Sequence, residues 1–189
     1  MEYRIVFRAF SARGIAAAAM LSGLATAPPA LAASQGALGA TSSGSVAISA
    51  SVPPRARLSK LRNVAFANVN PANNARRAQS VCAWSNTPTK GYRITASGSG
   101  VGNAFTLSAG VLNLPYTVQW NGSAGQTSGT ALSPGLPSAG FVSAASHQRC
   151  TSGPSASASL IIGIAAADLQ TMQAATTYTG TLTLLMSPQ

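Results

Sequence analysis

Acidic side chains are nearly absent from this chain: its 189 residues hold two, Glu2 and Asp168. Glu2 stands at the extreme N-terminus, in a segment read below as removed, and with Asp168 alone left, catalysis by paired carboxylates is out of reach. Histidine is as scarce, with His147 alone. A Ser-His-Asp arrangement would have to use His147 and Asp168. However, no Gly-x-Ser-x-Gly elbow is present, and His147 lies in a Ser/Gly-rich stretch. Two cysteines, Cys82 and Cys150, are too few for a thiolate metal cage. The glycine-rich run Gly98–Gly102 follows no parallel-strand pattern and opens no helix, which argues against a phosphate cradle. The reading is therefore of a protein that is not an enzyme, with no catalytic residue, no metal site and no cofactor. Long apolar runs are missing too. The longest, Ile15–Ala27, is about 13 residues, short of the ~20 that a membrane-spanning helix needs.

That short run has a meaning of its own. Arg4, Arg8 and Arg13 precede it, and Pro28-Pro29-Ala30-Leu31-Ala32-Ala33 follows it. A basic start, a short apolar stretch and a small-residue cleavage site are the parts of a secretory signal. Residues 1–32 are read as that signal, with cleavage after Ala32 or Ala33. Residues 33–45, rich in Gly, Ala, Ser and Thr, are read as a flexible tail, and residues 46–189 as one domain. Beyond the signal, nine basic residues face one acid, which leaves a net charge of +8. Four of the nine, Arg55, Arg57, Lys60 and Arg62, fall within one short basic patch. Such a patch suits a solvated surface or attraction to an anionic one. Nucleic acid is not expected as partner, because no aromatic residue interleaves the bases and export removes the chain from the genome.

In an exported protein an even pair of cysteines reads as one disulfide, here Cys82–Cys150. Cys82 and Trp84 lie two apart, so a strand would point both to one face, and the disulfide is expected to pack under Trp84. Alternation then sets out the strands. Val46, Ile48, Ala50 and Val52 share one face of a stretch stopped by Pro53-Pro54. Weaker alternation marks Val64–Val69. Further strands are predicted at Ser80–Ser85, at Gly91–Ala96 with Tyr92, Ile94 and Ala96 inward, and at Ala104–Ser108. Leu114–Trp120 follows with Leu114, Tyr116, Val118 and Trp120 together, then a tight turn at Asn121-Gly122. The stretch 123–154 reads as loop with one or two short strands. Ser159–Ala165 is the next strand, with Leu160, Ile162 and Ile164 inward. A helical turn capped by Asp168 then leads to a last strand, Thr177–Met186, with Tyr178, Leu182, Leu184 and Met186 on one face. Seven or eight short strands at this spacing predict an all-β, antiparallel, immunoglobulin-like sandwich. Only Ser187-Pro188-Gln189 follows the final strand, so the sandwich is expected to be incomplete, its last strand missing.

Val81–Asn86, Gly91–Gly98, Phe105–Leu107, Leu114–Trp120 and the closing Tyr178–Pro188 together resemble the pilin module of chaperone–usher fimbriae. They resemble in particular minor tip subunits of colonisation-factor-type fimbriae and spore-coat-protein-U-like secreted pilins. The likeness covers roughly Gln79–Gln189, more loosely Val46–Val69. It implies a fimbrial subunit whose missing strand is lent by a periplasmic chaperone and later by a neighbouring subunit, with an outer-membrane usher as third partner. The chain would pass through the periplasm to the cell surface. Tyr178, Leu182, Leu184 and Met186 would then line the open groove, and the donor strand would come from Ala33–Val52. Ala33–Ser45 offers only Leu38 as a large apolar residue. The donor pattern therefore falls on Val46, Ile48, Ala50 and Val52, which serve alternatively as the domain's own first strand. The competing reading is a self-sufficient secreted sandwich that binds an anionic surface, glycan or protein through Arg55, Arg57, Lys60 and Arg62.

Overall fold

The computed structural model describes residues 33–189; the signal segment predicted at 1–32 lies outside the described residues. The chain divides after Ser51 into two compact units, which are taken one at a time. In the first, Ser34 and Ser45 exchange both backbone hydrogen bonds, at 2.9 and 3.0 Å, and their hydroxyls meet at 2.7 Å. Residues 34–45 thus close into a loop. Among the described residues the strand predicted over Val46–Val52 is not formed: these residues have no ladder partner there, and Val46, Ile48 and Val52 are all exposed.

The second unit, Val52–Gln189, carries the strands. In chain order they are β1 (Ala56–Ser59), β2 (Ala75–Ser85), β3 (Gly91–Gly98), β4 (Thr106–Ala109), β5 (Leu112–Pro115) and β6 (Thr117–Asn121). The short β7 (Thr130–Ala131) and β8 (Phe141–Val142) follow, then β9 (Ala158–Ile164), one helical turn α1 (Ala166–Leu169), and β10 (Leu182–Pro188). Every ladder is antiparallel. The larger sheet has the order β1-β2-β9-β6-β7, the second β10-β3-β8, and β4-β5 form a separate ribbon. The result is the all-β antiparallel sandwich that the strand spacing predicts.

The core forms where the alternating faces meet. Val81 and Ala83 of β2, Tyr92, Ile94 and Ala96 of β3, Val118 and Trp120 of β6, and Ala158, Leu160 and Ile164 of β9 are all buried in one cluster. Trp120 meets Tyr92 edge to face across the two sheets, and its Nε1 donates to the Tyr92 Oη at 3.2 Å. Burial pushes the Tyr92 hydroxyl above its ordinary value of 10.0, partly offset by that hydrogen bond, and burial raises Tyr116 as well. Gly98 ends β3 where a Cβ would collide with the Ala104 carbonyl, so only glycine lets the chain cross itself there.

The strand predicted over 114–120 is split in two. Pro115 has no N–H to give, and the chain changes partner beside it: Leu112–Pro115 pairs with β4, whereas Thr117–Asn121 pairs with β9. The Tyr116 N–H bonds Phe105 O at the crossover. The helical turn is not capped by Asp168. Its first N–H, on Ala166, is taken instead by the Asn74 side chain at 2.8 Å, and Asp168 sits within the turn. The middle of β9 is buried on both faces, beyond what its alternation predicts. Ile161 shares the outer face with Ser159 and, across the ladder, with Ser80 and Arg76. On that face Ser80 Oγ takes the Gly125 N–H, Ser159 Oγ takes the Gln126 N–H, and Arg76 donates to Thr127 O. The loop after β6 is thereby laid over Ile161.

Candidate strand-acceptor groove

β10 is the edge of its sheet, and the register shows which of its backbone groups are free. The N–H groups of Ser138 and Gly135 bond the carbonyls of Ile94 and Ala96, and Ile94 N–H bonds Ser138 Oγ. The even residues of β3 thus spend their backbone away from β10. Its odd residues, Arg93, Thr95 and Ser97, face Ser187, Leu185 and Thr183. Gln189 N–H on Gly91 O extends the same register. In an antiparallel ladder the alternate residues then point outward. The N–H and C=O groups of Leu182, Leu184 and Met186 therefore aim away from β3, and they find no partner among the described residues.

The same three residues turn their side chains inward, half-buried, while Thr181, Thr183 and Leu185 are exposed. β1 runs beside β10 on the open side without pairing to it. Asn86 N–H bonds Arg55 O, so Arg57 and Ser59 in turn face β2, which leaves Ala56 and Leu58 directed toward the gap. Two unpaired edges thus flank an opening into the core. Beneath it lies a cleft of about 370 Å³, floored by Tyr116, Leu160, Ile162 and Ile164 and walled by Leu182 and Leu184. A second cavity, about 470 Å³, continues it past Leu107, Leu169, Met172 and Tyr178.

Tyr178 lies outside β10. The strand predicted from Thr177 begins at Leu182, because Thr179 bridges Ser108 and Gly180 presses against Leu107 and Thr106 O. Tyr178 lines the second cavity, and its Oη accepts the Gln173 N–H at 3.2 Å. The strand predicted over Val64–Val69 is also absent. Residues 61–69 run as irregular chain across the cleft, and Val64 and Phe66 contribute to the lining of both cavities. Leu61–Asn63 is fixed by a residue that alternation alone did not single out. Gln79 faces inward from β2, its Oε1 accepting Arg62 N–H at 2.8 Å and its Nε2 donating to Arg62 O at 2.9 Å. A polar residue in step with Val81 and Ala83 was the signal available in the sequence.

The other singled-out residues are placed as follows. Cys82 and Cys150 are bonded, and Trp84 packs against them. The four bases of the short patch diverge. Arg55 is exposed just before β1, Arg57 stands opposite Trp84 on the outer face, Lys60 Nζ donates to Cys150 O and Ser155 O, and Arg62 lines the cleft. His147 Nδ1 accepts the Arg149 N–H and meets the Thr151 hydroxyl within its own loop. Among the described residues no cluster of three His, Cys, Asp or Glu is found, and no helix is long and apolar enough to cross a membrane.

No protein-family model matches the chain, and no curated protein does. Among solved structures it is similar to a chain from a chaperone–tip adhesin complex, described as vital for synergistic activation of CFA/I fimbriae biogenesis. The identity is 15% and the TM-score 0.43, over 72% of this chain and 42% of that one. The chain therefore spans less than half the length of that neighbour.

Proposed function

We propose that the chain is an exported, non-enzymatic fimbrial subunit whose sandwich is completed by a strand from another polypeptide. A periplasmic chaperone would lend the strand in transit, and the N-terminal segment of the next subunit would replace it at the outer-membrane usher. The reading rests above all on the backbone groups of Leu182, Leu184 and Met186, unpaired among the described residues above an apolar cleft. A strand laid there gains main-chain hydrogen bonds on the β10 side and places alternate side chains into the cleft. Val46, Ile48, Ala50 and Val52, exposed and alternating, fit that demand as the strand of a second copy.

The test is size-exclusion chromatography of the exported chain, disulfide intact, with and without a synthetic Ala33–Val52 peptide. Self-association relieved by excess peptide is the expected result, since open sheet edges pair with one another. A sharp monomer that ignores the peptide would refute the proposal.

A further inference from the structure

We infer that Leu61–Val69 is a built-in plug: it occupies the groove provisionally and swings out when a strand arrives. This rests on the groove's accepting a strand, and it assigns that site a regulatory part of its own.

The segment is placed over the cleft but poorly bonded there. From Asn63 to Val69 its backbone makes no hydrogen bond with the described residues. Its side chains leave two cavities unfilled along its length, about 370 and 470 Å³. Dense packing is the rule where elements are fitted to one another, and these partly open clefts show that the segment covers the groove without filling it. Two attachments hold it: the Gln79 amide on the backbone of Arg62, and the Arg77 guanidinium 5.7 Å from the centre of the Phe66 ring. Beyond each attachment the backbone turns through a left-handed residue, Lys60 at φ 65 and Asn68 at φ 52. These bracket residues 61–67, the part of the plug able to leave without disturbing β1 or β2.

The exchange favours the newcomer. The plug shields the cleft with Val64 and Phe66 but offers nothing to the β10 edge, whose three outward-facing residues each hold an N–H and a C=O. An incoming strand bonds these groups and can bury its own apolar side chains, whereas removing the plug breaks two hydrogen bonds at Arg62, the Arg77–Phe66 contact and the packing of Phe66 on the core. The plug would keep the groove covered in a subunit not yet joined to a partner, and it would set the rate of joining.

Arg62 supplies the readout, being a tryptic site within the plug and held by Gln79. The exported full chain would be treated with the Ala33–Val52 peptide, which contains no Lys or Arg, and then with trypsin. Cleavage after Arg62 should be slow without peptide and rise about tenfold once it binds. Gln79→Leu, which keeps the volume and removes both bonds, should speed peptide uptake about tenfold. Phe66→Ala should act in the same direction from the other end, and serves if Gln79→Leu fails to fold. Uptake at unchanged rate in both variants, with no rise in cleavage at Arg62, would overturn the plug and leave the acceptor groove standing. No uptake by any form would remove the groove and the plug together.

Discussion

Replacing Cys82 and Cys150 together by alanine tests how the long loop of the sandwich is held. The bond joins residues 68 apart, linking the middle of β2 to the loop before β9. In the loop-entropy account, a closed loop of that size stabilises the fold by about 4.4 kcal/mol, from 2.1 + 1.5R ln n cal/mol/K at 298 K. Unfolding entropy of about 2.1 cal/mol/K per residue gives the Val52–Gln189 unit roughly 0.3 kcal/mol/K, so the melting temperature should fall by about 15 °C. Part of the loop stays tied without the bond. Ser157 N–H bonds Val81 O, and the Ser157 hydroxyl both bonds Ala83 O and accepts the Ala83 N–H. These contacts act only on the folded state and leave the entropic effect untouched. The assay is calorimetry of the oxidised chain against the double variant. A drop below about 5 °C would refute the reasoning, since it would mean that the unfolded chain is barely restrained by the bond.

Trp120→Phe removes the Nε1 donor from the buried Tyr92 hydroxyl and the edge contact between the sheets, and should cost about 2 kcal/mol by urea titration. Alkali should act through the buried tyrosines. Tyr92 and Tyr116 are raised by burial, so the unfolded chain loses its phenolic protons first, and stability should decline as pH rises above about 10. Tyr116→Phe should lessen that decline in pH-dependent denaturation curves. In the groove, Leu184→Asp places a charge on a half-buried wall position. It should weaken peptide uptake more than tenfold in a titration while the circular dichroism of the sandwich stays unchanged.

Much of the fold was legible where alternation met a partner. Tyr92, Ile94 and Ala96, and likewise Leu114, Tyr116, Val118 and Trp120, are buried in step as their period requires. The cysteine pair and its packing against Trp84 follow from the two-residue spacing. What alternation could not supply was the partner. Val46–Val52 and Val64–Val69 show the same period as the true strands. One, however, has no ladder partner among the described residues, and the other lies across a gap where a side chain, Gln79, takes the place of a neighbouring backbone. Pro115 signals an interruption, but the change of partner it permits is a tertiary event. The candidate groove shows in the sequence only as a row of residues, Tyr178, Leu182, Leu184 and Met186, of which Tyr178 lies outside β10. That the backbone groups of the other three also face the gap depends on the register of β10 against β3, and no local pattern encodes that.

The scarcity of carboxylates has a consequence for endurance. Acid unfolds most proteins by protonating carboxylates that the native state holds in ion pairs or hydrogen bonds. Here Asp168 is the one carboxylate side chain after residue 32. The polar contacts that tie the sandwich together run through other groups: indole to phenol at Trp120 and Tyr92, amide to backbone at Gln79 and Arg62, hydroxyl to carbonyl at Ser157 and Ala83. Acid finds almost nothing to disconnect. Stability should stay nearly level from neutral pH down to about pH 3 at a fixed ion concentration. A fold wired in this way is indifferent to the acidity of its surroundings.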